Sequence, residues 1–222
     1  EENLGGGNKT FFKLETGFDM NTGDNNSSSD TSVHGKKSDN KSFFGRQAHL
    51  GISNQSLGQL TIGRQNTVGY DTIKDFDPTN NLNQKGLIHY LSGYTDLKNN
   101  HNRSDGTIKY QHQLNRVTFL ASYQSGNQVG SVKHGSSTAI GMKYRDAHWS
   151  VGGSITEIDV AKSAGTAAKS SQSLGSTKII NFGGEYRFNR WTFKSGMSHS
   201  KLPAIQRGSI SHTNHQSSPE RD

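Results

Sequence analysis

The chain has 222 residues, of which only 28% are hydrophobic, with a mean hydropathy of −0.83 and a net charge of +7. Ordinary globular domains carry roughly 45–50% apolar residues with glycine counted, and the 26 glycines here bring no side chains to pack, which argues against a densely packed soluble enzyme. With no cysteine there is no disulfide framework or thiolate site, without a run of about 18 apolar residues there is no membrane-spanning helix, and Lys and Arg that cluster nowhere beyond Lys36-Lys37 leave no nucleic-acid footprint.

From the N-terminus, Glu1-Glu2-Asn3-Leu4 has neither the basic start nor the apolar stretch of a signal peptide. Residues 10–20 alternate, with Phe12, Leu14 and Phe18 on one face and Lys13, Glu15 and Asp19 on the other. Side chains alternate at that period only in a strand. A connection over 21–42 follows, almost purely Asn, Ser, Asp, Gly and Lys, and a second long one covers 66–104. In 107–114, Ile108, Tyr110 and Leu114 oppose Thr107, Lys109, Gln111 and Gln113; in 117–124, Val117, Phe119, Ala121 and Tyr123 oppose Thr118, Leu120, Ser122 and Gln124. After a connection over 125–136, Ile140, Met142 and Tyr144 oppose Gly141, Lys143 and Arg145, and Trp149, Val151 and Ile155 oppose Ser150, Gly152 and Ser154. A last connection over 159–178 leads to Ile180, Phe182, Tyr186 and Phe188 opposing Asn181, Glu185 and Arg187, then Trp191, Phe193 and Met197 opposing Thr192, Lys194 and Ser198. The tail, 202–222, shows no alternation and is expected to be unpaired.

Three of these junctions are tight hairpins, at Asn115-Arg116, Asp146-Ala147-His148 and Asn189-Arg190. Tyr144, Trp149, Tyr186, Phe188 and Trp191 gather beside them, the level at which membrane barrels carry an aromatic girdle. Short turns at one end and long polar loops at the other predict an all-β fold, an antiparallel up-and-down transmembrane β-barrel of the outer-membrane type. Apolar rows facing one another across two sheets would instead make a soluble sandwich.

Specific strings sharpen the reading. Glu2-Asn3-Leu4-Gly5-Gly6-Gly7 with Phe12-Lys13-Leu14-Glu15-Thr16-Gly17-Phe18, then Phe43-Phe44-Gly45-Arg46-Gln47-Ala48, then Leu57-Gly58-Gln59-Leu60-Thr61-Ile62-Gly63-Arg64-Gln65 with Tyr70-Asp71, resemble Gram-negative general porins of the β-proteobacterial type. The resemblance implies a bacterial outer-membrane location and a sixteen-stranded barrel, homotrimeric in the complete protein, that passes small hydrophilic solutes and ions. About nine of those strands are expected in 1–201, so that the barrel is incomplete and the chain truncated at both ends. It implies a third loop, about 66–102, that folds inward, with Asp71, Asp75, Asp77 and Asp96 as acidic constriction residues. Arg64, Arg103, Lys13 and Arg46 are the basic ones it sets opposite. Acids facing bases across a narrow aqueous gap make a transverse field that orients dipolar solutes, and the net positive charge predicts a mild anion preference. Strict alternation puts Arg64 on the face of Leu60 and Ile62, where a charge at the lipid midplane costs about 2–4 kcal/mol; a bulge at Gly63 is expected to return it to the lumen. The alternative is a small surface barrel or adhesin-like module that binds partners through the same loops turned outward.

No enzyme chemistry is legible. In Gly5-Gly6-Gly7-Asn8-Lys9-Thr10, Asn8 separates glycine from lysine and a strand follows, unlike a phosphate-binding loop. His212 and His215 lack a third ligand, and no Gly-x-Ser-x-Gly elbow occurs. No cofactor or metal is expected. Outer-membrane lipid and small solutes are the expected partners, and nucleic acid is not.

Overall fold

The alternating segments pair in chain order into one sheet. A computed structural model describes residues 1–23, 43–78, 102–126, 131–162 and 172–201. Ten strands, β1 (Glu2–Gly5), β2 (Asn8–Glu15), β3 (Gln47–Asn54), β4 (Gly58–Asn66), β5 (Arg103–Leu114), β6 (Val117–Gln124), β7 (Ser137–Arg145), β8 (Trp149–Lys162), β9 (Gln172–Phe188) and β10 (Trp191–Lys201), lie in the order β1 to β10, each antiparallel to the next. Among the described residues between β4 and β5 lie a helix, α1 (Val68–Ile73), and a 3₁₀ turn, Lys74–Phe76. Among the described residues β1 and β10 do not pair, so the sheet is an open barrel wall.

The two faces have opposite chemistry. Phe12, Leu14, Leu50, Ile52, Ile62, Ile108, Phe119, Ile140, Met142, Phe182, Phe193 and Met197 are all exposed, while Thr61, Gln65, Thr107, Lys109, Gln124, Ser150, Ser154, Asn181 and Glu185 are buried. A water-soluble sandwich buries its apolar rows against a second sheet; here those rows face outward along the whole wall. That is the inverted pattern of a strand wall built for lipid outside and water inside.

Local chemistry sets the turns. Asn115 and Asn189 take φ of 52° and 51°, the left-handed conformation that asparagine tolerates better than most residues. In the β7–β8 turn Asp146 Oδ1 accepts from the backbone N–H of His148 and Trp149, both at 2.8 Å. Trp149 and Tyr186 then stack across β8 and β9, ring centroids 4.3 Å apart, and Trp149, Phe188 and Trp191 are exposed beside the short turns.

The wall differs from the sequence reading at several points. The first alternating stretch ends as a strand at Glu15 rather than running to residue 20, because Asp19 Oδ1 caps the N–H groups of Asn21 and Thr22 at 2.7 and 3.2 Å and turns the chain. The connection over 159–178 is shorter than expected, since β8 and β9 keep pairing to Lys162↔Gln172 through an irregularity between Asp159 and Ala161. A ladder needs only backbone partners, so it continues past the point where apolar alternation stops. A bulge does lie at Gly63, where φ is 130° and the β4–β5 register shifts between Gly63 and Gln65. A Cβ there would meet the Ala48 carbonyl oxygen at 2.3 Å. The β3 side of β4 nevertheless keeps its register, Leu50↔Ile62 and Ala48↔Arg64. Gln65 is the residue that joins buried Thr61 and Thr107 on the polar face, so, contrary to expectation, the bulge does not return Arg64 to the polar row.

Candidate functional site

Helix α1 begins where Thr67 Oγ1 accepts from the Tyr70 N–H at 3.2 Å, a side-chain cap for an otherwise orphan donor. Its apolar residues turn to the wall. Val68 clusters with Leu120 and Ala139, and Ile73 with Phe76, all of them buried. Leu120 is the apolar member of an otherwise polar row, Thr118, Ser122 and Gln124, and it stands where the helix lands. The segment lies on the polar face, packed against β6 to β9. Beneath it a cavity of about 30 Å³ is lined by Tyr70, Ser104, Gln124, Thr156 and Asn181 among others, room for water and little else.

The loop's acids meet bases of the wall. Asp71 Oδ2 takes Lys109 Nζ at 2.7 Å, its Oδ1 takes Lys74 Nζ at 3.1 Å, and Asn66 Nδ2 approaches at 3.3 Å. Lys109 Nζ also donates to the Asn66 carbonyl at 2.9 Å. The pair is sheltered, with side chains 13% and 9% exposed. Burial pushes the Asp71 carboxyl up, but the charges and hydrogen bonds of Lys109 and Lys74 outweigh it and hold the group below its ordinary value. One turn on, Asp75 Oδ2 pairs with Arg145 at 2.8 Å and with Lys143 at 3.5 Å, while Lys143 Nζ also donates to the Asp71 carbonyl at 2.9 Å. Asp77 is fully buried, its N–H donating to the Lys74 carbonyl at 3.4 Å. Asp96 lies outside the described residues.

Of the four bases singled out from sequence, Lys13, Arg64 and Arg103 stand on β2, β4 and β5 and Arg46 immediately precedes β3, at the rim that carries the long loops. Lys13 and Arg46 share Glu15, at 3.6 and 2.6 Å, which Gln47 Nε2 also reaches at 2.6 Å. Arg64, in the row of Ala48, donates from Nε to the Gly45 carbonyl at 2.7 Å and pairs with Asp105 at 2.6 Å; its side chain is 14% exposed. Arg103 opens β5 opposite Asn66, its Nε buried without a hydrogen bond among the described residues. The wall bases that meet Asp71 and Asp75 are therefore Lys109, Lys143 and Arg145, which sequence reasoning placed on the polar face without giving them a role. Nothing in a strand's own alternation reports which of its polar residues a distant loop will touch.

The faces, the hairpin order and the inward loop narrow the family, and comparison decides it. The family model described as Gram-negative porin matches residues 1–204. This chain belongs to that family. Membership places the porin in the bacterial outer membrane and points to a channel rather than an enzyme. An outer membrane porin protein of Bordetella pertussis is 36% identical over 77 residues, which cover 35% of this chain and 17% of that protein. Among solved structures, OmpT of Vibrio cholerae, an outer membrane protein, superposes with a TM-score of 0.50 at 13% identity, both as a loop L8 deletion mutant and as the in-vitro folded protein. Each superposition covers 70% of this chain, and 49% and 46% respectively of the solved chains. The likeness is one of fold. The match thus spans less than half the length of each of these relatives.

Proposed function

We propose that this porin is a passive diffusion channel for small hydrophilic solutes and ions, narrowed by its third loop and mildly preferring anions. One observation carries the reading: the described start of that loop lies on the polar face, its carboxylates held against lysine and arginine of the wall. This placement favours a constriction over an outward adhesive surface. Asp71, Asp75 and Asp77, with Asp96 further along the loop, supply its acidic side. Lys109, Lys143 and Arg145 meet those acids directly, while Lys13, Arg46 and Arg103 stand at the loop-bearing rim of β2 to β5; Arg64, in the row of Ala48 and paired with Asp105, braces that rim. Weakly screened charges in a narrow gap orient solutes and bias ion entry without tight binding. The chain's net charge of +7 gives the anion preference its sign. By family, the assembly is a homotrimer.

The test is a planar bilayer containing the porin in the length its gene encodes. Stepwise conductance is expected, with a reversal potential in a potassium chloride gradient that favours chloride. A cation-favouring potential would refute the selectivity, and absence of conductance by correctly inserted protein would refute the channel.

A further inference from the structure

Phe76 is 1% exposed although it sits on a short turn over a polar face. The wall beneath it makes room by omitting side chains. A Cβ added at Gly183 would lie 2.6 Å from Phe76 Cδ2 and 3.1 Å from Phe76 Cβ. One added at Gly152, paired with Gly183 across β8 and β9, would lie 3.0 Å from Phe76 Cε2 and 2.9 Å from the Thr72 carbonyl oxygen. On β7, one added at Gly141 would lie 2.7 Å from both Val68 Cγ1 and Thr72 Oγ1. None of the three glycines has a positive φ, so backbone conformation does not require them. The close approach of the loop does.

The ring acts as a peg in that recess, adjacent in sequence to Asp75 and five residues beyond Asp71. Its depth therefore fixes where both carboxylates stand relative to Lys109, Lys143 and Arg145. We propose that Phe76 and Gly183 are positioning residues of the pore: the peg and its recess set how far the described start of the loop stands off the wall. This rests on the channel reading and goes beyond it, because charge alone would allow the loop to swing on its ion pairs.

Two variants of the full gene product test it. Gly183→Ala, in protein that still inserts, is expected to change single-channel conductance by about a third or more and to shift the reversal potential; adding Phe76→Ala, which removes the colliding Cγ and ring and leaves only Cβ, is expected to restore both toward wild type. An unchanged conductance and reversal potential in Gly183→Ala would overturn the proposal. The second variant, Phe76→Cys with Gly183→Cys, uses a chain that has no cysteine of its own. A Cβ at Gly183 stands 3.1 Å from Phe76 Cβ, short of the roughly 3.5–4.5 Å a disulfide spans, so an outward shift of a few tenths of an ångström lets the bridge form in the folded protein, which is then expected to migrate faster on a non-reducing gel. The bridged channel is expected to conduct alike with and without reductant. Failure to bridge, or conductance that rises on reduction, would overturn the proposed seat. A cysteine pair that bridges, in a porin that never conducts with or without the two substitutions, would sink the channel reading and leave the seat standing.

Discussion

At the scale of single residues the sheltered pair Asp71–Lys109 matters most. Removing one partner leaves the other charge without its match, and for buried pairs that costs roughly 3–5 kcal/mol; contact with an aqueous space puts this pair at the lower end. Asp71→Asn and Lys109→Met are each expected to lower the stability of the docked loop, and the double variant to recover part of the loss, in a double-mutant cycle read by denaturant unfolding. The pH dependence follows from the depressed Asp71 carboxyl. A group whose folded pKa lies below its unfolded value contributes stability that is complete above the ordinary carboxylate pKa and is lost as pH falls through the folded value. The stability that the Asp71 pairs give the docked loop is therefore expected to persist below the ordinary carboxylate range and to be lost only in stronger acid, while Asp71→Asn flattens that acid limb in unfolding measured against pH. Asp146 behaves alike at the opposite rim: the N–H groups of Trp149 and His148, then the Tyr144 hydroxyl, hold it at about 2, so the β7–β8 turn stays capped until pH nears that value.

At the scale of elements, each tight hairpin rests on a residue that accepts positive φ. Forcing a side chain without local hydrogen-bonding ability into that region costs roughly 1–2 kcal/mol. Asn189→Ala is expected to destabilise the β9–β10 hairpin by about that amount and Asn189→Gly to be close to neutral, judged by unfolding midpoints of refolded protein; equal losses from both would show that the Asn189 side chain, not its φ, matters. Here the sequence was most legible. The turns at Asn115, Asp146 and Asn189, the polar and apolar rows, and the placing of Thr107, Lys109, Ser150 and Asn181 all follow from a period of two, which the backbone enforces locally. The ends of β2, β8 and β9 were less legible because an Asp19 cap and a continuing backbone ladder decide them, not alternation. Helix α1 escaped because six residues leave little periodic trace. The partners of Asp71 and Asp75 escaped because they depend on where a loop comes to rest some forty to seventy positions away in the chain. One trace was present: Leu120 in a polar row, apolar only because Val68 covers it.

At the scale of the whole molecule, ten strands leave a free edge on β1 and another on β10 among the described residues. Unpaired N–H and C=O groups cost several kcal/mol each in hydrocarbon, and barrel width grows with strand number. Residues 1–222 expressed alone are therefore expected to associate edge to edge and to give no steady single-channel steps; light scattering showing a monomer in detergent together with stable conductance would contradict this. The outward rows of Phe12, Leu50, Ile62, Phe119, Ile140 and Phe182 also bear on the journey before assembly. A polypeptide bound for the outer membrane must first cross the inner one, and the export machinery releases into that bilayer any long continuous greasy stretch. Because every second position here is hydrophilic, the nascent chain offers no such stretch, and it crosses as a water-compatible thread whose oily character emerges only once the strands line up side by side.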